Sequence, residues 1–244
     1  MQSYYWRERL TKKEQNLYDK MVAFFYNCEE HVYCANFSSK QLNEIYIAIT
    51  KDHPELYYLP SQVQIKQIIS ILGVRTELIL HNLFDRSQIE RYDSILERIK
   101  RDFANKIRFC NNDFEREKIV CELIIENTTY KINNIMNQNA ATVLIEKVGQ
   151  CSGIAKAVKL LLNWCGISNI IVNGTAKDTN TGGVGPHAWN IVQIGNQRYH
   201  LDVTFMLGAN VRKIKPYNLC YFNCRDSEIK KTHQWDMGNA PSCN

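Results

Sequence analysis

The chain has 244 residues, 45% of them hydrophobic and 23% charged, with a formal net charge of +5. That length can bury one sizeable core, and the charge is dispersed: the densest basic runs, Arg212-Lys213-Ile214-Lys215 and Lys230-Lys231, are too short for a nucleic-acid stripe. No window approaches the ~18 uninterrupted apolar residues of a membrane span, and Tyr4-Tyr5-Trp6 leads into charges rather than an apolar export signal. A cytoplasmic protein is expected, with neither nucleic acid nor membrane as partner; its oligomeric state is unknown.

In chain order, Thr11-Lys12-Lys13-Glu14 reads as a capping box, opening a helix whose Leu17, Met21, Phe24 and Phe25 mark a buried stripe. Ser38-Ser39-Lys40-Gln41 caps a second helix, with Leu42, Ile45, Tyr46 and Ile49 inward. The helical pattern breaks around Pro54 and Pro60. Segments 62–71 and 75–83 carry enough β-branched residues for strands, with Gly73 between them. A long helix is expected from Ser87 to about Phe109, on the spacing of Ile89, Tyr92, Leu96, Ile99 and Phe103. Asn111-Asn112-Asp113 turns into a further helix reaching Ile125 and extending toward Ile135. With no repeats or linkers, 1–244 reads as a single α+β domain: a mainly helical half with a short β segment (1–135), then a catalytic core (136–244).

Chemistry concentrates in that second part. Gly149-Gln150-Cys151-Ser152-Gly153 precedes Ile154, Ala157, Val158, Leu161 and Leu162, whose spacing predicts a helix over 152–164 with one buried face, stopped at Cys165-Gly166. Cys151 would sit at the helix N-terminus, where unpaired N–H groups favour a thiolate. A helix end contributes ~0.3–1 kcal/mol, whereas one pKa unit is about 1.4 kcal/mol. An ordinary thiol therefore needs an imidazolium partner as well.

That partner comes from a predicted hairpin. Strands over 188–194 and 197–203 flank Gly195-Asn196, a two-residue turn signal. Pairing at constant sum puts His187 opposite Thr204 and Trp189 opposite Asp202. His187 and Asp202 then become diagonal neighbours on one face, about 7–8 Å apart at Cα; a one-residue change of loop would separate them. His200 shares the face but lies opposite Ile191, further from the strand end, and is expected to pack or hydrogen-bond locally. A lone buried cysteine is usually an inert small hydrophobe, so the assignment of Cys151, His187 and Asp202 rests on three independent agreements: helix start, hairpin register and residue type. An oxyanion donor is also required; the Cys151 backbone N–H fits, with Gln150 and Trp189 as candidate second donors.

The stretch from Gly149 to Phe205 resembles the core of the transglutaminase-like superfamily, in which a Cys, a His and an Asp occupy these three settings. Tyr221-Phe222-Asn223-Cys224-Arg225-Asp226-Ser227-Glu228-Ile229 and His233-Gln234-Trp235-Asp236 are similar to the tail of bacterial transglutaminase-like proteins, and His53-Pro54-Glu55-Leu56-Tyr57-Tyr58 to their N-terminal region. The resemblance implies a papain-like fold, a nucleophile helix packed on an antiparallel sheet, a Cys151 thiolate, His187 as general base and acid, and Asp202 orienting it. Its expected activity is thiol acyl transfer on a peptide or glutamine-type amide, as a cysteine protease, amidase or transglutaminase, with a protein or peptide as substrate. One departure is Phe205-Met206, where many relatives carry Trp then Asp; it bears on the adjacent substrate surface. The alternative is a catalytically silent protein-binding scaffold on the same fold, usual where a triad member is missing.

Nine cysteines without an export signal suggest reduced thiols. Cys220, Cys224, His233 and Cys243 lack the second close pair of a zinc knuckle. No metal and no cofactor are expected.

Overall fold

The computed structural model describes residues 4–71, 73–132, 134–177 and 182–244. Two compact units divide the chain, one over Ser3–Tyr92 and the other holding Asp93–Asn244.

In the first unit, α1 (Tyr5–Glu8) and α2 (Lys12–Tyr26) are followed by strand β1 (His31–Ala35), α3 (Ser39–Asp52), β2 (Gln64–Ser70) and β3 (Gly73–Ile79). Both expected capping boxes form. Thr11 and Glu14 exchange bonds at the start of α2, and Ser38 and Gln41 do so at α3. Each satisfies backbone donors that a helix start leaves open. The buried stripe of α2 is Leu17, Tyr18, Met21 and Phe25, while Phe24 is exposed; at 100° per residue, position 24 falls beside that stripe rather than in it. The three strands pair antiparallel in the order β1-β3-β2. Strand β1 was not read from the sequence: its exposed-buried alternation rests on Val32 alone being fully buried. Asp52, 1% exposed, accepts the Trp6 and Arg7 backbone N–H groups and the Tyr18 hydroxyl, tying α1 to α3.

Helix α4 (Arg86–Ile107) contains the boundary between the units. Beyond it come α5 (Asp113–Asn127), β4 (Thr129–Tyr130), β5 (Val148–Gly149), α6 (Cys151–Trp164), β6 (Asn169–Lys177), β7 (Val184–Ile194), β8 (Gln197–Leu201), α7 (Val203–Ala209), α8 (Asp226–Ile229) and β9 (His233–Trp235). Helix α5 stops at Asn127 rather than running toward Ile135, because Thr128 turns to extended backbone and leads Thr129 and Tyr130 into the parallel β4–β5 pair. Strands β8-β7-β6-β9 form an antiparallel sheet.

Helix α6 packs on this sheet, on α5 and on α7. Its predicted apolar residues are all buried, joined by Ala155 and Leu160, so the helix is covered on more than one side. Each fully buried Ile, Val or Leu contributes roughly 1.5–3 kcal/mol. Ala155, Ile171 and Ala188 form a buried apolar cluster between helix and sheet. Asn190 Nδ2 donates to the Ala155 carbonyl at 3.0 Å across the same seam. The chain is thus α+β, with a central helix laid on an antiparallel sheet. Among the described residues no helix is long and apolar enough to cross a membrane, and the nine cysteines are free thiols.

One buried carboxyl in this unit has a pH consequence. Glu117 of α5 is 0% exposed; its Oε2 accepts from Asn223 Nδ2 at 2.8 Å and its Oε1 has no protein partner. Burial pushes this carboxyl up to about 8 from the ordinary 4.5. Stability is therefore expected to fall as pH rises from 4.5 through about 8, because the folded state holds a proton that the unfolded chain releases. Glu117→Gln keeps shape and bond while removing the charge, and should gain on the order of a few kcal/mol over wild type above that window. Thermal melts on both sides of it test this; parallel pH slopes for the two proteins would count against a buried, protonated Glu117.

Candidate active site

The approach to Cys151 is a strand-to-helix turn. Strand β5 ends at Gly149, Gln150 is the extended N-cap residue (φ −114°, ψ 176°), and Cys151 is the first helical residue. The turn is tight enough to require glycine twice. A Cβ at Gly149 would stand 2.5 Å from Val143 Cγ2, and one at Gly153 2.2 Å from the Asn137 carbonyl oxygen. The Gln150 backbone N–H donates to that same oxygen at 3.0 Å. No side chain caps the start of α6, so its first N–H groups face outward around Cys151.

The hairpin pairs in the register expected: Ile194 with Gln197, Ile191 with His200 and Asn190 with Leu201. Pairing then stops. Instead of running on to place Thr204 opposite His187, the chain turns at Asp202 into α7, and Asp202 serves as its N-cap through Oδ1, which accepts the Phe205 N–H at 3.0 Å. Asp202 Oδ2 is left to face β7, where His187 Nε2 donates to it at 2.7 Å. The His187 side chain is 7% exposed and that of Asp202 is 0% exposed. Cys151 lies close enough to His187 to help raise the pKa of the ring.

Electrostatics reinforce this geometry. Burial alone would push His187 down, but its hydrogen bond to the Asp202 carboxylate and the nearness of Cys151 drive it up from 6.5 to about 9. Burial would push Asp202 up, yet the His187 and His233 donors hold it at about 2. Beside the buried Asp202 carboxylate the cationic form of the ring is favoured. The stabilisation from that cation is complete below 6.5 and disappears as pH rises through about 9.

Two further sequence candidates are placed differently. Trp189 is 1% exposed and its indole N–H donates to His200 Nδ1 at 2.9 Å, so it is not available as an oxyanion donor. Its plane instead stacks near His187, at 5.9 Å between centroids. Gln150 is half-buried beside Cys151; its backbone N–H is used by Asn137, which leaves its side-chain amide as the group that could meet a substrate. His200 is engaged locally, between the Trp189 indole and Asp226 Oδ1 at 2.8 Å.

A cleft of about 770 Å³ opens beside His187. Tyr130, Gly185, Pro186, Phe205 and Tyr221 form much of its wall. Phe205, the departure from the family pattern, meets His187 edge-on at 5.1 Å. It therefore shapes the wall next to the imidazole without entering the polar chain.

His233 is a residue that the sequence did not single out for this site. Its Nε2 lies 2.9 Å from Asp202 Oδ2. No local pattern announces it, since its position depends on β9 pairing with β6. Two groups of potential metal ligands occur among the described residues: His187, Asp202 and His233, and separately His200, Asp226 and Cys243. In both, imidazole Nε2 bonds directly to a carboxylate oxygen, an arrangement that requires the proton a metal would replace. His233 and Cys243, paired in the imagined zinc site, fall in different groups.

The transglutaminase-like superfamily model matches residues 101–203, the span from α4 to the start of α7 that contains Cys151, His187 and Asp202. Among solved structures, the chain is similar to a candidate cysteine protease from Cytophaga hutchinsonii (16% identity, 59% of this chain and 62% of that one, TM-score 0.39). It is also similar to a TGase (11%, 71% and 50%, 0.40). A third is a candidate protease from Parabacteroides distasonis (15%, 59% and 36%, 0.35). The chain spans less than two thirds of the length of each. No curated protein matches it.

Proposed function

From a chain whose residues 101–203 match the transglutaminase-like superfamily, we propose a thiol acyl-transfer enzyme acting on a peptide or glutamine-type amide of a protein or peptide substrate. The observation that carries this reading is the imidazole held by a buried carboxylate, His187 Nε2 at 2.7 Å from Asp202 Oδ2, with Cys151 near enough to that ring to raise its pKa.

The chemistry follows from the order of groups. Cys151 Sγ attacks the amide carbon as His187 carries the thiol proton; the C–N bond breaks, and the amine leaves with that proton. A thioester remains. Water or an amine then attacks it, gives its proton to His187, and the C–S bond breaks to release acid or new amide together with the thiolate. Asp202 keeps the ring in the tautomer whose free nitrogen faces sulfur. The oxyanion is met by the Cys151 N–H at the first position of α6, with the Gln150 side-chain amide as second donor.

The alkylation rate of Cys151 against pH, followed by peptide mass spectrometry, tests the proposal. At about pH 6 an ordinary thiol is roughly 0.3% ionised, so a Cys151 paired with imidazolium should label rapidly, and His187→Ala should slow it roughly 100-fold. Slow labelling in both proteins, rising only above about pH 8 as for an ordinary thiol, would favour the silent scaffold. Hydrolysis and transfer separate on a glutamine-bearing protein supplied with a labelled primary amine. Incorporated label marks transfer; ammonia or new peptide termini without label mark hydrolysis. Cys151→Ala should abolish either.

A further inference from the structure

The carboxylate of Asp202 has more donors than a three-residue catalytic line requires. Oδ1 is held by the Phe205 N–H. Oδ2 accepts from His187 Nε2 at 2.7 Å and is approached by His233 Nε2 at 2.9 Å. The His233 side chain is 0% exposed. A carboxylate oxygen only accepts, so His233 Nε2 must carry a proton. Its other nitrogen, Nδ1, lies 2.8 Å from Thr232 Oγ1, whose hydroxyl donates to the Ile229 carbonyl at 3.4 Å. The ring thus gives Asp202 a second imidazole donor beside His187.

The fold goes to some length to bring this ring in. Strand β9 pairs with β6, setting His233 opposite Ala176 and Trp235 opposite Gly174. A Cβ at Gly174 would stand 2.1 Å from the Gln234 carbonyl oxygen, so the approach of β9 depends on glycine there. Once in place, His233 is walled by Phe205 at 4.8 Å and Trp189 at 4.9 Å between ring centroids. In that aromatic box the second lone pair of Oδ2 would otherwise face rings, and the carboxylate would be free to turn about its last bond.

We infer that His233 is a positioning residue: its Nε2–H pins Asp202 Oδ2 where His187 needs it. The inference rests on the Cys151–His187–Asp202 reading above. It distinguishes two near-identical variants. The amide nitrogen of a glutamine reaches the place of imidazole Nε2, whereas that of an asparagine reaches only the place of Nδ1. Alkylation of Cys151 at about pH 6 in His233→Gln should stay within about threefold of wild type, and in His233→Asn should fall about 10- to 100-fold, the scale of one lost hydrogen bond to a buried charge. Equal rates for His233→Asn and wild type, or an equal fall in both variants, would overturn the inference while leaving a slow His187→Ala intact. Wild-type labelling in His187→Ala would instead overturn the catalytic reading itself. If His233→Asn does not fold, nitrogen NMR of the histidine rings in the wild-type protein decides: a protonated Nε2 at neutral pH supports the assignment, and a bare Nε2 refutes it.

Discussion

Asp202→Asn is expected to lower turnover by about 10³–10⁴-fold, the scale of replacing a triad carboxylate by its amide, with Cys151 alkylation at about pH 6 collapsing to that of an ordinary thiol. The reason is that neither orientation of the introduced amide serves the three N–H groups now facing this side chain. With its oxygen toward the histidines, its NH₂ is turned on the Phe205 N–H, donor against donor, and the N-cap of α7 is lost. With its oxygen kept as cap, the NH₂ faces His187 Nε2 and His233 Nε2, which sit at 2.7 and 2.9 Å from Oδ2. His187 must then carry its proton on the nitrogen facing sulfur and can no longer receive the thiol proton. Folding should survive better than activity in the second orientation, because only the tautomers change. Turnover and alkylation rates are the checks, with far-UV circular dichroism to show that the variant is folded. Wild-type labelling in Asp202→Asn would remove the carboxylate from the mechanism.

How much of this site the sequence made legible depends on the distance over which each residue is placed. The His187–Asp202 contact was readable because a two-residue turn at Gly195-Asn196 fixes the pairing sum, and the observed partners Ile194–Gln197 and Ile191–His200 keep it. What the turn could not indicate is that β8 ends at Leu201 and that Asp202 leaves the strand to cap a helix. An Asp before an apolar run is itself a capping signal, outweighed in a strand reading by β-branched Val203 and Thr204. The oxyanion candidates show a different limit. Trp189 alternates correctly onto the site face, yet the direction of its indole N–H depends on His200, whose own orientation depends on Asp226. His233 lies beyond local reasoning altogether, since its approach requires β9 to find β6 across the intervening hairpin and α7. The scaffold follows the same rule: capping boxes set by four neighbouring residues were legible, and a five-residue strand such as His31–Ala35, stabilised by pairing with β3, was not.

Gly153→Ala separates local propensity from packing most sharply. By helix propensity alone the change should help, by about 1 kcal/mol within α6. Space argues the reverse. The new Cβ would lie 2.2 Å from the Asn137 carbonyl oxygen, 3.1 Å from its carbon and 3.3 Å from the Asn139 nitrogen, all backbone atoms. That segment cannot yield cheaply, because the same oxygen accepts the Gln150 N–H at 3.0 Å and the Asn137 side chain is tied to the Lys131 carbonyl at 3.0 Å. The start of α6 must therefore shift, carrying Cys151, two residues away, off the His187 ring. Overpacking of this kind costs roughly 1–3 kcal/mol, and a displacement of about 1 Å at a reacting atom costs about 100-fold in rate. A lowered melting temperature together with slow alkylation of Cys151 is expected. A Gly153→Ala protein as stable as wild type, labelling at the wild-type rate, would show that the tight turn is not what holds the nucleophile, and the role of α6 in presenting Cys151 would have to be reconsidered.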